Sequence, residues 1–261
     1  MSSLYHITKL AMSNLKQPIN KNSIFTRIKL IFKAFWFGID WAWNPTHTYS
    51  AIIAVESFIN QKNNYPNLQI MLDTNPKMSK TFSSLEFIED MSKNWNFSKL
   101  RVEYSEGSLA VEYVKFMERL NFEPLDMNFS LNIPQEIQSI LKLGIRNHDI
   151  IHLLFGLYQS NSDGKLDITD YHEWIFLSWT ASMVRDFGDR LILDFLLFPS
   201  RIKAFLTFNS NHYNEAIAIG QELAKTSADL NLTWLKPYFG ESIESVRQKL
   251  GIKTLDEVLY K

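Results

Sequence analysis

Residues 134–158 read PQEIQSILKLGIRNHDIIHLLFGLY, and this stretch decides the fold class. Pro134 stands where a helix tolerates proline best, in the first turn, whose N–H has no intrahelical partner anyway. Toward the other end Ile150, Ile151, Leu153, Leu154 and Phe155 leave little polar surface, so the helix is expected to be buried on several sides. Into that apolar setting the chain puts Asn147-His148-Asp149-Ile150-Ile151-His152. Four residues apart on a helix, His148 and His152 share one face, one turn apart. That spacing lets two imidazole nitrogens meet a single cation, as in many zinc sites. Asp149 is rotated by about 100° from His148 and can add an oxygen from the edge of the face. Two histidines with one or two carboxylates suit zinc or another divalent first-row metal. The competing reading is two partly buried histidines and a backbone-bonded aspartate. Either way the groups need strong partners, because unpaired buried polar atoms are costly.

Outward from this helix the pattern repeats. Candidate helices are Thr26–Trp43, Thr46–Gln61, Ser83–Lys93, Ser108–Leu120, Pro134–Tyr158, Thr169–Phe187, Asn211–Leu230 and Glu241–Leu250. Ser108 can cap a helix that carries Leu109, Tyr113, Phe116 and Leu120 on one face. Pro45 after Asn44 is another first-turn proline. No Asn-Gly or Asp-Gly pair separates two alternating runs, and Asp163-Gly164 lies between helices. Residues 60–67 and 121–132 read as loops. The expectation is an all-α fold: a single multi-helix domain over 26–261 with a buried metal-binding helix pair, preceded by a flexible segment 1–25.

The composition narrows the function classes. Of 261 residues 46% are hydrophobic and 14% aromatic, including 19 Phe, which suits a greasy helical interior. With 27 basic residues against 28 acidic, a large basic face for nucleic acid is not expected. Cysteine is absent, which excludes disulfides, thiolate metal sites, iron–sulfur clusters and cysteine nucleophiles.

No apolar run reaches the roughly 18 residues of a membrane span. Residues 25–43 are interrupted by Arg27, Lys29, Lys33 and Asp40, and residues 191–208 by Asp194, Pro199, Arg201 and Lys203. The N-terminus carries no export signal pattern. Residues 1–39 hold six basic side chains and no acidic one. Within them Ile28, Ile31, Phe32, Phe35, Trp36 and Ile39 recur at helical spacing. A helix of this kind either packs on the core or lies in a bilayer interface.

Several catalytic signatures are missing: H-E-x-x-H, a Walker loop and G-x-G-x-x-G. The doublet His148-Asp149 also suits a metal phosphohydrolase of the HD class. That class needs a further upstream His and downstream Asp, for which His47 and Asp186 or Asp189 are loose candidates.

His148-Asp149-x-x-His152 with a downstream carboxylate resembles the H-D-x-x-H…E motif of the coenzyme Q biosynthesis protein 4 family. Glu106-Gly107-Ser108-Leu109, continuing to Glu112-Tyr113 and Phe116, is similar to that family's E-G-S-L-x-x-x-Y segment. Asn44-Pro45 is similar to its early N-P, and Trp234 to Arg247-x-x-Leu250-Gly251-Ile252 to its closing segment. The resemblance runs in order from about Lys29 to Ile252.

The resemblance implies an all-helical protein of ubiquinone biosynthesis that binds zinc at the motif and sits against the membrane. It implies a metal-dependent carboxy-lyase acting at ring carbon 1 of a polyprenyl hydroxybenzoate, with hydroxylation there also proposed. The alternative is a non-enzymatic, lipid-binding scaffold that organises a quinone biosynthesis complex. Its partners would be a polyprenylated aromatic lipid precursor, the membrane surface and other quinone biosynthesis proteins, with a homo-oligomer also compatible. Its location would be the cytoplasmic face of a bacterial membrane or the matrix side of the mitochondrial inner membrane. The implied ligands are His148, Asp149, His152 and a Glu. The family spacing of eleven residues after the second His lands on Gly164, so the loop Gln159–Asp167 reads as an insertion. Glu173, near the head of the next helix, is then the expected fourth ligand, with Asp163 or an incomplete three-ligand site as the alternatives. Asp163 reads as a turn residue, Asp167 or Asp170 as a cap of the helix starting near Thr169, and His172 as a surface residue, with a supporting partner of Glu173 as the alternative.

Overall fold

Helix starts are written locally in this chain. The computed structural model describes residues 76–122, 135–183 and 190–260, with 32–33, 36–40 and 43. Among these the helices are α1 (Pro76–Phe82), α2 (Leu85–Ser92), α3 (Phe97–Glu103), α4 (Leu109–Arg119), α5 (Gln135–Phe155), α6 (Asp170–Met183), α7 (Arg190–Leu206), α8 (Ser210–Ala224), α9 (Ile243–Leu250) and α10 (Leu255–Leu259). Ser84, Asn96, Ser108, Ser242 and Thr254 each accept a hydrogen bond from a first-turn N–H. Such caps contribute about 1 kcal/mol each. The fold is all-α, as the sequence leads one to expect. One small exception is a ribbon in which β1 (Gln159–Ser160) pairs antiparallel with β2 (Leu166–Asp167).

Three of the helices absent from the sequence reading, α1, α3 and α10, are five to seven residues long. That is too short for a 3.6-residue period to register. The fourth, α7, contains Pro199, which the sequence reading treats as an interruption and the structure accommodates inside the helix. The predicted helix Thr46–Gln61, residues 1–25, Asn44-Pro45, His47, Asp186, Asp189 and most of the loop 121–132 lie outside the described residues.

The core is built around α5. Its second half packs Ile150, Ile151, Leu154 and Phe155 among α4, α6 and α8, with Trp179 and Phe239 fully buried beside them. Its first half packs Ile140 and Leu143 against Phe82, Phe87 and Met91 from α1 and α2. Helices α6 and α8 cross so closely that a Cβ on Gly220 would lie 2.4 Å from the Ile175 carbonyl and 2.8 Å from Trp179 N. Glycine is required there by contact, not by backbone angle.

Two polar ties hold α5 in place. The buried Asn147 side chain donates to the carbonyls of Leu230 and Thr233, at 2.6 and 2.8 Å. At the far end Arg247 donates to the carbonyls of Leu154 and Leu153, at 2.7 and 3.2 Å. These satisfy acceptors that a helix end otherwise leaves open. The turn bearing His152 is thereby clamped from the C-terminal segment.

Candidate metal centre

Helix α5 ends in a left-handed glycine, Gly156, at φ +72°. Leu157 N–H bonds back to the His152 carbonyl at 2.8 Å, and Gly156 N–H to Leu153 at 3.3 Å, the double closure expected of such an end. This turn brings the Leu157 carbonyl to His152 Nδ1, 3.1 Å away. A carbonyl can only accept, so Nδ1 carries the proton and Nε2 is left with its lone pair. One turn earlier His148 Nδ1 lies 3.0 Å from Asp149 Oδ1. With Nδ1 held by that carboxylate oxygen, His148 Nε2 also faces away from its anchor.

Both Nε2 atoms point toward Glu173 from α6. His148 Nε2 is 3.5 Å from Glu173 Oε2, and His152 Nε2 is 3.6 Å from Glu173 Oε1. These gaps are too long for good hydrogen bonds. Accordingly, His152 Nε2 and Glu173 Oε2 are buried without a hydrogen-bond partner. Each such orphan costs roughly 1–3 kcal/mol. Each gap, to a different oxygen of Glu173, is close to the donor–donor distance of a tetrahedral site, about 3.4 Å when metal–ligand bonds are 2.0–2.1 Å. One donor atom from each of His148, His152 and Glu173 lies within 4.8 Å of the others, so the group can hold a metal ion. Oriented imidazoles with one nitrogen already committed fit a divalent cation. The ring of Phe176, one turn beyond Glu173, stacks on His152 at 5.3 Å and meets His148 edge-on at 4.4 Å, walling this side with carbon.

The electrostatics follow from the crowding. Burial alone would lower the His148 imidazole, but Glu173 and Asp149 outweigh it and push it up to about 10. Burial lowers His152, and neighbouring His148 adds to that. Burial would raise Glu173, but the histidines around it hold its carboxyl below the usual range.

The other expected residues are placed as follows. Asp149 sits on the Nδ1 side of His148, outside the three-residue donor group. Asp163 is exposed, with Oδ1 accepting from Lys165 N–H at 3.4 Å in the hairpin turn. Asp170 pairs with Lys203 at 2.7 Å. Gly164 is a left-handed turn residue whose carbonyl accepts from Arg119. His172 corrects its sequence reading. It is buried, and its Nδ1 accepts from Thr169 N–H at 3.1 Å, closing the first turn of α6 as a Glu or Gln does in a capping box. Burial, with His152 adding to it, lowers this imidazole to about 4, which keeps the acceptor nitrogen unprotonated. The Thr-x-x-His spacing from Thr169 to His172 was the available sequence signal.

No family model matches the sequence, and no curated protein matches it. The fold is similar to the crystal structure of a protein from Nostoc punctiforme provisionally named for ubiquinone biosynthesis. The two share 15% identity at a TM-score of 0.58, over 84% of this chain and 96% of that one. At that identity the likeness is one of fold. No helix among the described residues is long and apolar enough to cross a membrane.

Proposed function

We propose that this chain is a metal-dependent protein of ubiquinone biosynthesis, acting at ring carbon 1 of a polyprenylated hydroxybenzoate to remove its carboxylate, with hydroxylation at that carbon as a variant. The observation that carries this reading is the pair of partnerless atoms, His152 Nε2 and Glu173 Oε2, in a group of His148, His152 and Glu173 whose donor atoms lie within 4.8 Å of one another. The H-D-x-x-H resemblance and the name attached to the Nostoc protein of similar fold support the choice of pathway.

Zinc or another divalent cation held by His148, His152 and Glu173 would supply positive charge that orients a substrate carboxylate or phenolate and steadies charge left on the ring. The chain's own part is positional. Leu157 and Asp149 hold the two imidazoles with Nε2 forward, and the Phe176 ring packs against both. Asp149 is assigned here as the orienting partner of His148 and not as a ligand. A polyprenyl tail favours apolar surroundings by about 0.8 kcal/mol per CH2. The helical residues Phe32 and Trp36, four apart and each 70% exposed, suit a protein resting on the membrane. They also favour the second reading, a scaffold that gathers lipid intermediates and other quinone biosynthesis proteins around a structural metal.

Purified protein assayed for bound metal and for CO2 release from a short-tailed carboxylated precursor separates the two. The lyase reading expects His148→Ala, His152→Ala and Glu173→Gln to lose both metal and turnover, and Asp149→Asn to weaken metal binding about 10–100-fold. Asp163→Asn should do neither. Tightly bound metal with no turnover under any condition would leave the scaffold.

A further inference from the structure

Helix α7 ends where glycine is the usual choice. Asn209 N–H bonds to the Ala204 carbonyl at 2.8 Å and Phe208 N–H to Phe205 at 3.3 Å, the double closure of a left-handed helix end. The left-handed residue is Phe208, at φ +58°. That conformation crowds any Cβ against the backbone and is uncommon for a bulky residue. Nothing in the fold offsets it, because the Phe208 side chain is 96% exposed. Phe205 is 72% exposed and Leu206 59%. An apolar tip that is both strained and uncovered points to a role outside folding.

Two observations say what covers it. First, polar groups on the α7 side of the tip are turned inward: Thr207 gives its N–H and its hydroxyl to the Lys203 carbonyl, each at 2.9 Å, and Asn209 Nδ2 donates to Thr207 Oγ1 at 3.3 Å. On the α8 side Ser210, Asn211 and His212 are exposed and the helix has no side-chain cap, so only the α7 side suits hydrocarbon. Lys203 Nζ is drawn to Asp170. A protein partner usually finds about one hydrogen bond per 100–200 Å² of interface, whereas hydrocarbon tolerates only groups already satisfied. Second, residues 195–214 contain Arg201 and Lys203 and no carboxylate, and Arg201 is exposed. That sign suits anionic headgroups.

We propose that the α7–α8 corner is a bilayer-inserting tip, with Phe205, Leu206 and Phe208 in the acyl boundary of a membrane carrying anionic lipid and Arg201 at headgroup level. It rests on the membrane-facing part of the reading above and is independent of the metal.

The test is flotation of the full chain with phosphatidylcholine–phosphatidylglycerol vesicles. Phe208→Gly puts the favoured residue in the left-handed position, so it should raise the melting temperature while lowering vesicle partitioning about tenfold. Phe205→Ser should give a second loss without touching that position. Equal flotation of wild type and both variants would overturn the tip and leave membrane contact to Phe32 and Trp36. A wild type that never floats would overturn the tip and the membrane-facing reading together. Self-association of the wild type that disappears in Phe208→Gly would make the corner a contact between copies and overturn the proposal too. Metal content, measured on the same samples, should be unchanged in Phe208→Gly, which keeps the metal reading separately testable.

Discussion

His148 is held between two carboxylates, Asp149 on one nitrogen and Glu173 on the other. That arrangement makes it a cation when no metal is bound, with its imidazole pushed up to about 10. Metal and proton therefore compete for the same Nε2. At pH 7.5 metal uptake should release about one proton, and apparent affinity should rise up to tenfold per pH unit below about pH 10. Titration calorimetry in two buffers of different ionisation enthalpy measures the proton count, and a count of zero would be incompatible with His148 as a ligand. The sign for the metal-free fold is opposite. A histidine raised on folding contributes stability that is complete below about pH 6.5 and is lost as pH rises toward about 10. Melting in the presence of a chelator should show that His148-dependent contribution falling across this window, and His148→Ala should remove it.

At the scale of elements the informative piece is the ribbon between α5 and α6. Twenty residues separate His152 from Glu173, and nine of them, Gln159–Asp167, form the β1–β2 hairpin. Gln159 pairs with Asp167, so the hairpin leaves and rejoins the chain at neighbouring points, about 5.5 Å or less between Cα atoms. Its tip is self-sufficient: Gly164 N–H bonds to Asn161 and Asn161 N–H to Lys165, a turn closed by a left-handed glycine. Without it eleven residues would separate the ligand helices, the spacing that the resembling family shows. Deleting 159–167 should therefore leave metal stoichiometry intact and cost the Arg119 bonds to the Gly164 carbonyl together with the core packing of the buried Leu166. Metal analysis and helical circular dichroism of the deletion variant check this. Loss of metal with retained helicity would show that the hairpin helps to place Glu173.

Across the whole molecule the C-terminal segment is locked to the first helices through one buried carboxylate. Asp90 on α2 accepts from Trp234 Nε1 at 3.0 Å and Trp95 Nε1 at 3.4 Å, and pairs with Lys236 at 3.0 Å. The buried Arg146 of α5 lies 3.8 Å from it, donates to the Asp90 and Lys93 carbonyls, and sits over the Trp95 ring. Removing the carboxylate takes the counter-charge from the buried Arg146, which keeps its two backbone acceptors, and leaves two indole N–H groups without theirs. Asp90→Ala should therefore cost about 3–5 kcal/mol, read from urea unfolding. A cost below about 1 kcal/mol would mean that the network is dispensable.

The sequence by itself determined the helical class. Periodic apolar faces and a cap such as Ser108 are local properties, carried by residues within one turn of each other. It also determined that His148 and His152 share a face, because the 3.6-residue turn admits no other outcome on one helix. Helices shorter than two turns escaped it for the same reason in reverse, since too few residues sample the period. Only the tertiary structure decided that Glu173 stands opposite those two rings, that Asp149 meets the far side of His148, and that His172 is buried as a cap. Each of these depends on how α6 packs across α5. That packing is set by distant contacts, among them Gly220 under Ile175 and Arg247 on the end of α5, which no local pattern encodes.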